Sequence, residues 1–464
     1  MLNRRDSNFG QGQLWMPFWP EDPYDLGPEI GPMAVILDQP ELLEPFVESY
    51  ERAARETGLC LTGRKTIPIR TFAGMMVLKH MSGLSYRDLC EQVKDRISWR
   101  VFCRIPFGKK VPDYSTLCKL VQRFGPQAIE EMNRALLKHL KEKNKLKGKK
   151  IKIDTTVVES NIEHPTDAKV LKQGISKIGR LVEQCREAGI TAAGDFVNHW
   201  RTVRKHMLEI AKVARRRTGK AIREVDRITA RLAVIAENTL EKAKRILKAA
   251  KIGLAKGSAK LKGHVVAELA ETCILLEKAI AQAWQVASGN RHLKDRLVSI
   301  HDPGARPIRK GKPHKPTEFG RKVLLSSNEQ HLVTGYRVLE GNPSDDSLFT
   351  AAVEQYKANT GYTPKEAAGD RGIASAENER IAAKLGIERV SLPKRGKKNP
   401  SRLAYEKQPW FRRLQRMRAG QEAEISVLKR RFGLARSLSR GDKGTAAWVG
   451  WSVMAYNLCM AARL

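Results

Sequence analysis

Residues 149–158, Lys-Lys-Ile-Lys-Ile-Asp-Thr-Thr-Val-Val, alternate basic or polar side chains with β-branched ones. Period-two alternation of this kind marks a strand. The patterned sequence before it reads as helix, and the next strand-like run begins only at Lys322. Any sheet that holds this strand must recruit its partners across more than 160 residues of chain, most of them helical in pattern. Such a sequence predicts a sheet interrupted by a long helical excursion, not a string of local hairpins.

The helical segments are legible on either side. Residues 1–60 read as an acidic, Pro-rich arm (Pro17, Pro20, Pro23, Pro28, Pro32) leading into a first helix near 41–57. Over 61–147, Phe72, Met75, Met76 and Leu78, then Tyr86, Leu89 and Val93, fall at helical spacing, and Asp113 ahead of Ser115 and Thr116 signals a helix start. This predicts an all-helical module, either a DNA-binding helix-turn-helix relative or a bundle with a packing role alone. Residues 220–252 contain neither Gly nor Pro. Val225, Leu232 and Ile246 share one heptad position there, and Ile222, Ala236 and Ala243 another, which predicts a long helical hairpin within an insertion at 168–300.

Strand patterns return at 322–325 and 331–339. Asn342-Pro343-Ser344-Asp345 predicts a turn that caps a helix running to Tyr356. A strand end at 367–370, a helix at 374–385, a strand at 388–392, a basic loop at 394–398 and a helix at 411–432 follow. With the insertion removed, the order is strand, strand, strand, helix, strand, helix, strand, helix. The expected class is α/β with a mixed sheet, its core built from 148–167 and 301–464.

Charge narrows the partners. The 464 residues hold 85 Lys+Arg against 50 Asp+Glu, a net charge of +35. Residues 1–50 carry two basic and nine acidic side chains, so the excess lies entirely downstream. Between 201 and 263 there are 19 basic and five acidic residues. A solvated helix face balances its charges, whereas a phosphate-binding one does not, and the imbalance favours a polyanion. Seven Cys without a Cys-x-x-Cys pair argue against a disulfide framework or a zinc ribbon, and point to a reducing cytoplasm. The start of the chain has no basic n-region followed by an apolar run. The apolar stretch at 445–462, which contains Ser452 and Asn457, is expected to be a buried helix and not a membrane span. No Gly-x4-Gly-Lys-Ser/Thr run supports ATP-driven chemistry.

Metal-assisted phosphodiester chemistry needs two or three carboxylates converging on divalent ions, held by a rigid frame. Asp154 stands mid-strand in a β-branched run, where Asp is disfavoured, and Asp370 ends an apolar strand. Each alone could be a turn or capping residue. On the 411–432 helix, Arg418, Glu422 and Lys429 lie within about 40° of one stripe at about 100° per residue. A surface ion-pair ladder with Glu424 as an equal partner would give the same spacing. His164-Pro165-Thr166-Asp167 reads as a turn that ends the first strand, and Asp345-Asp346 as helix capping.

In combination these residues resemble bacterial insertion-sequence transposases of the DDE superfamily, of the type whose last acid lies in a Tyr-x2-Arg-x3-Glu-x6-Lys signature. Arg418, Glu422 and Lys429 match the Arg-Glu-Lys part, while Gln415 stands where the signature has Tyr. Asp154-Thr155-Thr156 resembles the first acidic strand and Gly369-Asp370-Arg371-Gly372 the second. Leu84-Ser85-Tyr86-Arg87-Asp88-Leu89 and Val111-Pro112-Asp113-Tyr114-Ser115-Thr116-Leu117 are similar to the N-terminal helical module, and Gly433-Leu434 through Gly444, with Trp448 and Asn457, to the C-terminal tail. The resemblance spans roughly 65–464.

The resemblance implies an RNase H-like core in which Asp154, Asp370 and Glu422 hold two Mg²⁺ ions, or Mn²⁺ in their place. It implies cleavage at the ends of the chain's own mobile element and direct strand transfer into target DNA, with Arg418 and Lys429 holding the DNA end. Arg371 and the loop cations Lys394, Arg395, Lys397 and Lys398 are expected to meet the same DNA. Double-stranded terminal repeats and target DNA, a homodimer and a cytoplasmic, nucleoid-associated location follow from the same likeness. The alternative is a transposase-derived DNA-binding protein without catalysis.

Overall fold

The computed structural model describes residues 26–57, 66–106, 108–255, 263–309 and 316–464. The arm at 1–25 and Cys60 lie outside them. In chain order come α1 (Gly31–Leu37), α2 (Pro40–Thr57), α3 (Ile69–Ser82), α4 (Tyr86–Asp95), α5 (Ile97–Phe102) and α6 (Tyr114–Glu142). Strand β1 (Lys150–Ser160) precedes α7 (Asp167–Glu187), α8 (Trp200–Ala214), α9 (Gly219–Ala255) and α10 (Gly263–Ala287). Next are β2 (Arg306–Arg309), β3 (Thr317–Ser327), β4 (Val333–Val338), α11 (Phe349–Thr360), β5 (Glu366–Gly369), α12 (Ala376–Lys384) and β6 (Arg389–Ser391). Helices α13 (Pro400–Lys407) and α14 (Pro409–Arg431), strand β7 (Arg436–Ser437) and helix α15 (Gly441–Ala461) complete the chain. It divides into two units, Met1–Glu159 with Arg321–Leu464, and Ser160–Gly320.

In the first unit β1 lies between β3 and β5, β6 lies beyond β5, β4 pairs with β3, and β7 pairs with β1. The β1–β5 and β5–β6 pairs are parallel and β3–β4 is antiparallel, so the sheet is mixed and the α/β expectation holds. A strand sends successive side chains to opposite faces. Ile151 and Ile153 of β1 enter a core with Phe349, Val353, Tyr356 and Ala382 from α11 and α12. Lys152 and Asp154 therefore face the other way, toward α14. Both faces being covered explains why β1 is buried along most of its length, Lys152 included, although its first half alternates in sequence.

Helices α1–α6 share a second core with α15. Phe46 stacks on Trp451 with ring centroids 5.8 Å apart, and Phe72 meets the same indole edge-on at 5.7 Å. Phe124 closes the cluster at 5.0 Å from Phe46. Gly450 lets α15 come close at this point, because a Cβ there would lie 2.7 Å from the Tyr336 hydroxyl and 2.9 Å from Ile129. The 445–462 stretch thus falls in a helix buried against the other helices. Among the described residues no helix is long and apolar enough to cross a membrane. His80 of α3 sits in the same interior, its Nδ1 3.1 Å from Ser452 Oγ of α15, and burial pushes its pKa down to about 3.

The second unit is built on α7, α9 and α10, whose Leu171, Ile178, Leu232, Ala236, Leu269 and Leu276 form its core. Strand β2 pairs antiparallel with the first four residues of β3, from Arg306 opposite Gly320 to Arg309 opposite Thr317. The heptad expectation holds over the middle of α9 and fails at its start. Ile222 is 46% exposed, and Ala221 and Ile228 turn inward instead. A straight helix drifts relative to a strict seven-residue repeat, so one stripe cannot stay buried over its full length.

Strand β2 and helices α1 and α13 were not expected from the sequence. Pro307 hid the first, and Asn399-Pro400, a helix-start pair whose Asn side chain accepts from Arg402 N at 2.8 Å, announces α13. The aromatic cluster makes a direct prediction: Trp451→Ala should cost about 3–5 kcal/mol, read as a lowered denaturation midpoint in equilibrium unfolding.

Candidate active site

Ile153 of β1 pairs with Gly369 of β5 in parallel register. Asp154 and Asp370 each follow by one residue. Asp154 continues β1, and Asp370 lies just past the end of β5. Asp154 shares the parity of Lys152, the face covered by α14, and Asp370 lines a groove with Gln415, Arg418 and Glu422 of the same helix. Asp370 is fixed by its own turn: its Oδ1 accepts from Gly372 N at 2.8 Å and Ile373 N at 3.0 Å. Gly372 leaves both carboxylates room, since a Cβ would fall 2.7 Å from Asp345 Oδ2 and 2.9 Å from Asp370 Oδ1.

Helix α14 crosses this face on a polar stripe. Gln415 Nε2 donates to Ser391 O at 2.8 Å and Ser391 Oγ at 3.0 Å, and reaches Gly369 O at 3.3 Å. The residue in the Tyr position of the signature thus stitches the helix to the ends of β5 and β6. One turn on, Arg418 places Nη1 3.6 Å from Asp154 and Nη2 2.9 Å from Glu422. Gln421 donates to Leu325 O and Lys152 O at 3.2 and 3.4 Å. Glu424 pairs with the fully buried Lys152, and its Oε1 lies 2.6 Å from His331 Nδ1. Burial would raise the Glu424 carboxyl, but the His331 hydrogen bond and the Lys152 charge hold it below the usual carboxylate range.

Glu424 is therefore no member of a surface ladder. It is an interior anchor, whereas Glu422, two residues away, is 65% exposed. Asp345 also departs from its expected role. It makes no capping hydrogen bond. Its Oδ1 instead accepts from Thr155 Oγ1 at 2.9 Å and lies 2.7 Å from Lys322 Nζ, which brings a further acid beside Asp154 and Asp370. The signal available in sequence was Lys322 itself, a cation inside an apolar strand that needs a buried partner. Strand β1 ends earlier, at Ser160, and the His164-Pro165 stretch leads into Thr166, which caps α7.

A groove of about 560 Å³ opens between Asp370, Arg371, Lys398, Gln415, Arg418 and Glu422. Lys394, Arg395 and Lys397 are exposed on the adjoining loop. Arg395 Nε reaches Arg371 O at 2.6 Å, and Lys398 pairs with Glu406 of α13. Lys429 is half-buried about 10 Å further along α14 and does not line the groove. Among the described residues no group of three His, Cys, Asp or Glu side chains converges tightly enough to hold a metal ion.

The two glutamates should respond oppositely to substitution. Glu424→Ala leaves Lys152 buried without its partner and should cost about 3–5 kcal/mol, while Glu422→Gln should change stability by less than about 0.5 kcal/mol. Chemical denaturation reads both. The lowered Glu424 pKa further means that its contribution is complete above the ordinary value of 4.5 and is lost as pH falls below it, an acid-side decline that Glu424→Ala should flatten.

Residues 29–123 match the family model described as Transposase domain (DUF772), and residues 295–458 match that described as Transposase DDE domain. Together the two segments cover more than half of the chain. The second includes Asp370 and Glu422, and residues 124–294, Asp154 among them, lie outside both. An uncharacterized protein, ORF8 in the nfe locus of Rhizobium meliloti, is 29% identical over 133 residues, 28% of this chain, and the chain spans 63% of that relative's length. No solved structure matches the chain. The chain belongs to the insertion-sequence transposases with a DDE domain.

Proposed function

We propose that this protein is a DNA transposase that cuts the ends of its own insertion sequence and joins them to target DNA. The observation that carries the reading is the parallel pairing of Ile153 with Gly369, the residues just before Asp154 and Asp370, with Arg418 of α14 bridging Asp154 and Glu422. The three carboxylates are hard oxygen donors, the chemistry Mg²⁺ or Mn²⁺ prefers. The guanidinium of Arg418, touching both Asp154 and Glu422, marks the point where this face stabilises positive charge. Asp154, Asp370 and Glu422 supply the donor chemistry of a divalent-metal site and would have to draw together to hold an ion. Bound there, two such ions would activate a water and stabilise the leaving oxygen.

The chain's own side chains do the rest. Arg371, Lys398 and Arg418 line the groove beside the acids and would neutralise the phosphates flanking the cut. Lys394, Arg395, Lys397 and Lys429 would extend that grip along the duplex. Hydrolysis frees a 3′-hydroxyl. Its attack on a target phosphodiester forms one P–O bond and breaks another, releasing a target 3′-hydroxyl, so no covalent protein intermediate or external energy source is needed. In this reading 148–167 with 301–464 form the catalytic core, 61–147 a DNA-binding module, and two copies bring two terminal repeats together at the nucleoid.

The test is cleavage of duplex DNA carrying the sequence that flanks the gene, with Mg²⁺ present. Asp154→Ala and Asp370→Ala should each lower cleavage by at least about 10²-fold, while filter binding in chelator stays at the parental level. Cleavage at the parental rate by either variant would remove that residue from the site.

A further inference from the structure

Helix α8 carries an unbalanced cationic stripe. At about 100° per residue, Arg201, Arg204, Lys205, Lys212 and Arg215 all point within about 60° of one direction. All five are exposed. The opposite side of α8 is the one that packs: Val203 is fully buried, and Met207 and Ile210 lie against the core of the second unit. The stripe is thus turned outward by the fold.

The stripe cations stand without counter-charge. Some cations of the same unit meet acids: Lys177 lies 3.1 Å from Glu268, Arg296 2.6 Å from Asp167, Lys244 3.0 Å from Glu277 and Arg291 2.6 Å from Asp226. The one acid on α8, Glu209, lies 3.3 Å from His206 and not against the stripe. Among the described residues none of the five stripe cations has an acidic partner or a side-chain hydrogen bond. The excess continues past the helix end, where Arg216, Arg217 and Lys220 are exposed at the turn into α9. Holding this many like charges together costs self-repulsion, which a polyanion relieves.

From this geometry we infer that the α8 stripe is a phosphate-backbone site for double-stranded DNA, separate from the residues placed at the cut. The inference rests on the transposase reading for the choice of duplex DNA as the polyanion. From Arg201 to Arg215 the helix rises about 21 Å. Phosphates along one strand of B-DNA recur every 3.4 Å or so of axis, so about six fall within that length, close to the number of cations offered. Contacts of this kind carry no base information, and the site would grip any duplex.

The experiment measures binding of the full-length protein to a random-sequence 30-base-pair duplex by fluorescence anisotropy, in chelator, from 50 to 200 mM salt. Each phosphate contact contributes about 0.9 to the slope of log K against log salt. The fourfold variant Arg201→Gln, Arg204→Gln, Lys205→Gln, Lys212→Gln should lose about 3.6 from that slope, so the parent's affinity falls roughly 150-fold further than the variant's over this range. A charge-keeping variant, Arg201→Lys, Arg204→Lys, Lys205→Arg, Lys212→Arg, should retain the parental slope, and all three proteins should share one unfolding midpoint. Equal slopes for parent and Gln variant would overturn the site, as would a parent that prefers single-stranded RNA or anionic vesicles to duplex. Because no cleavage is read, failure here is distinct from failure of the Asp154 and Asp370 test.

Discussion

Lys152 is a fully buried cation two residues from Asp154, and the placement of α14 depends on answering its charge. An ammonium taken out of water costs several kcal/mol unless a carboxylate meets it in good geometry. Glu424 is the carboxylate that does so, and it can reach Lys152 only with α14 at one rotation and one height over β1. Gln421 and Gln415 fix the same setting through backbone carbonyls on β1, β3, β5 and β6. Once the helix is set, Arg418 and Glu422 have no freedom to lie elsewhere than over Asp154. The face that carries Asp154 and Glu422 is therefore positioned by neighbours that take no part in the proposed chemistry.

That arrangement explains which parts of the molecule were legible in its sequence. Strands β1, β5 and β6 and helices α12 and α14 announce themselves because apolar side chains alternate, or recur, against polar ones. Asp154 and Asp370 could be singled out because an acid in the middle or at the end of an apolar strand is unusual, but the register that sets β1 against β5 could not. Nor could the inner stripe of α14. Gln415, Arg418, Gln421 and Glu424 form a polar surface buried against a sheet, and hydrophobic periodicity is blind to polar burial. For the same reason Glu424 looks from sequence like the twin of Glu422, although one is interior and the other faces solvent. Asp345 was misread through its local context, since Asn-Pro-Ser-Asp is capping chemistry until Lys322 and Thr155 are brought near it.

Charge divides along the same line between local and global causes. The overall excess of cations says that the partner is a polyanion and little more. Within the second unit, cations such as Lys177, Lys244 and Arg296 have acids at hand, while the α8 stripe does not, and only the fold shows which side of that helix faces out. A stripe of Arg and Lys at helical spacing is common in solvated helices. Its meaning here comes from the missing acids, a property of the three-dimensional neighbourhood.

The register of β1 against β5 also bears on when activity can arise. Asp154 and Asp370 are neighbours in space but 216 residues apart in the chain, and Glu422 comes 52 residues later still. Closing so long a loop is an entropic cost met only when the downstream strands exist. At about 5–20 residues per second of synthesis, the first acid waits on the order of ten seconds or more for its partners. The intervening helices bury a core of their own and can form during that interval. A nascent chain would thus hold no more than part of the proposed site until synthesis had passed Glu422, and the genome that encodes it would be spared a half-built site.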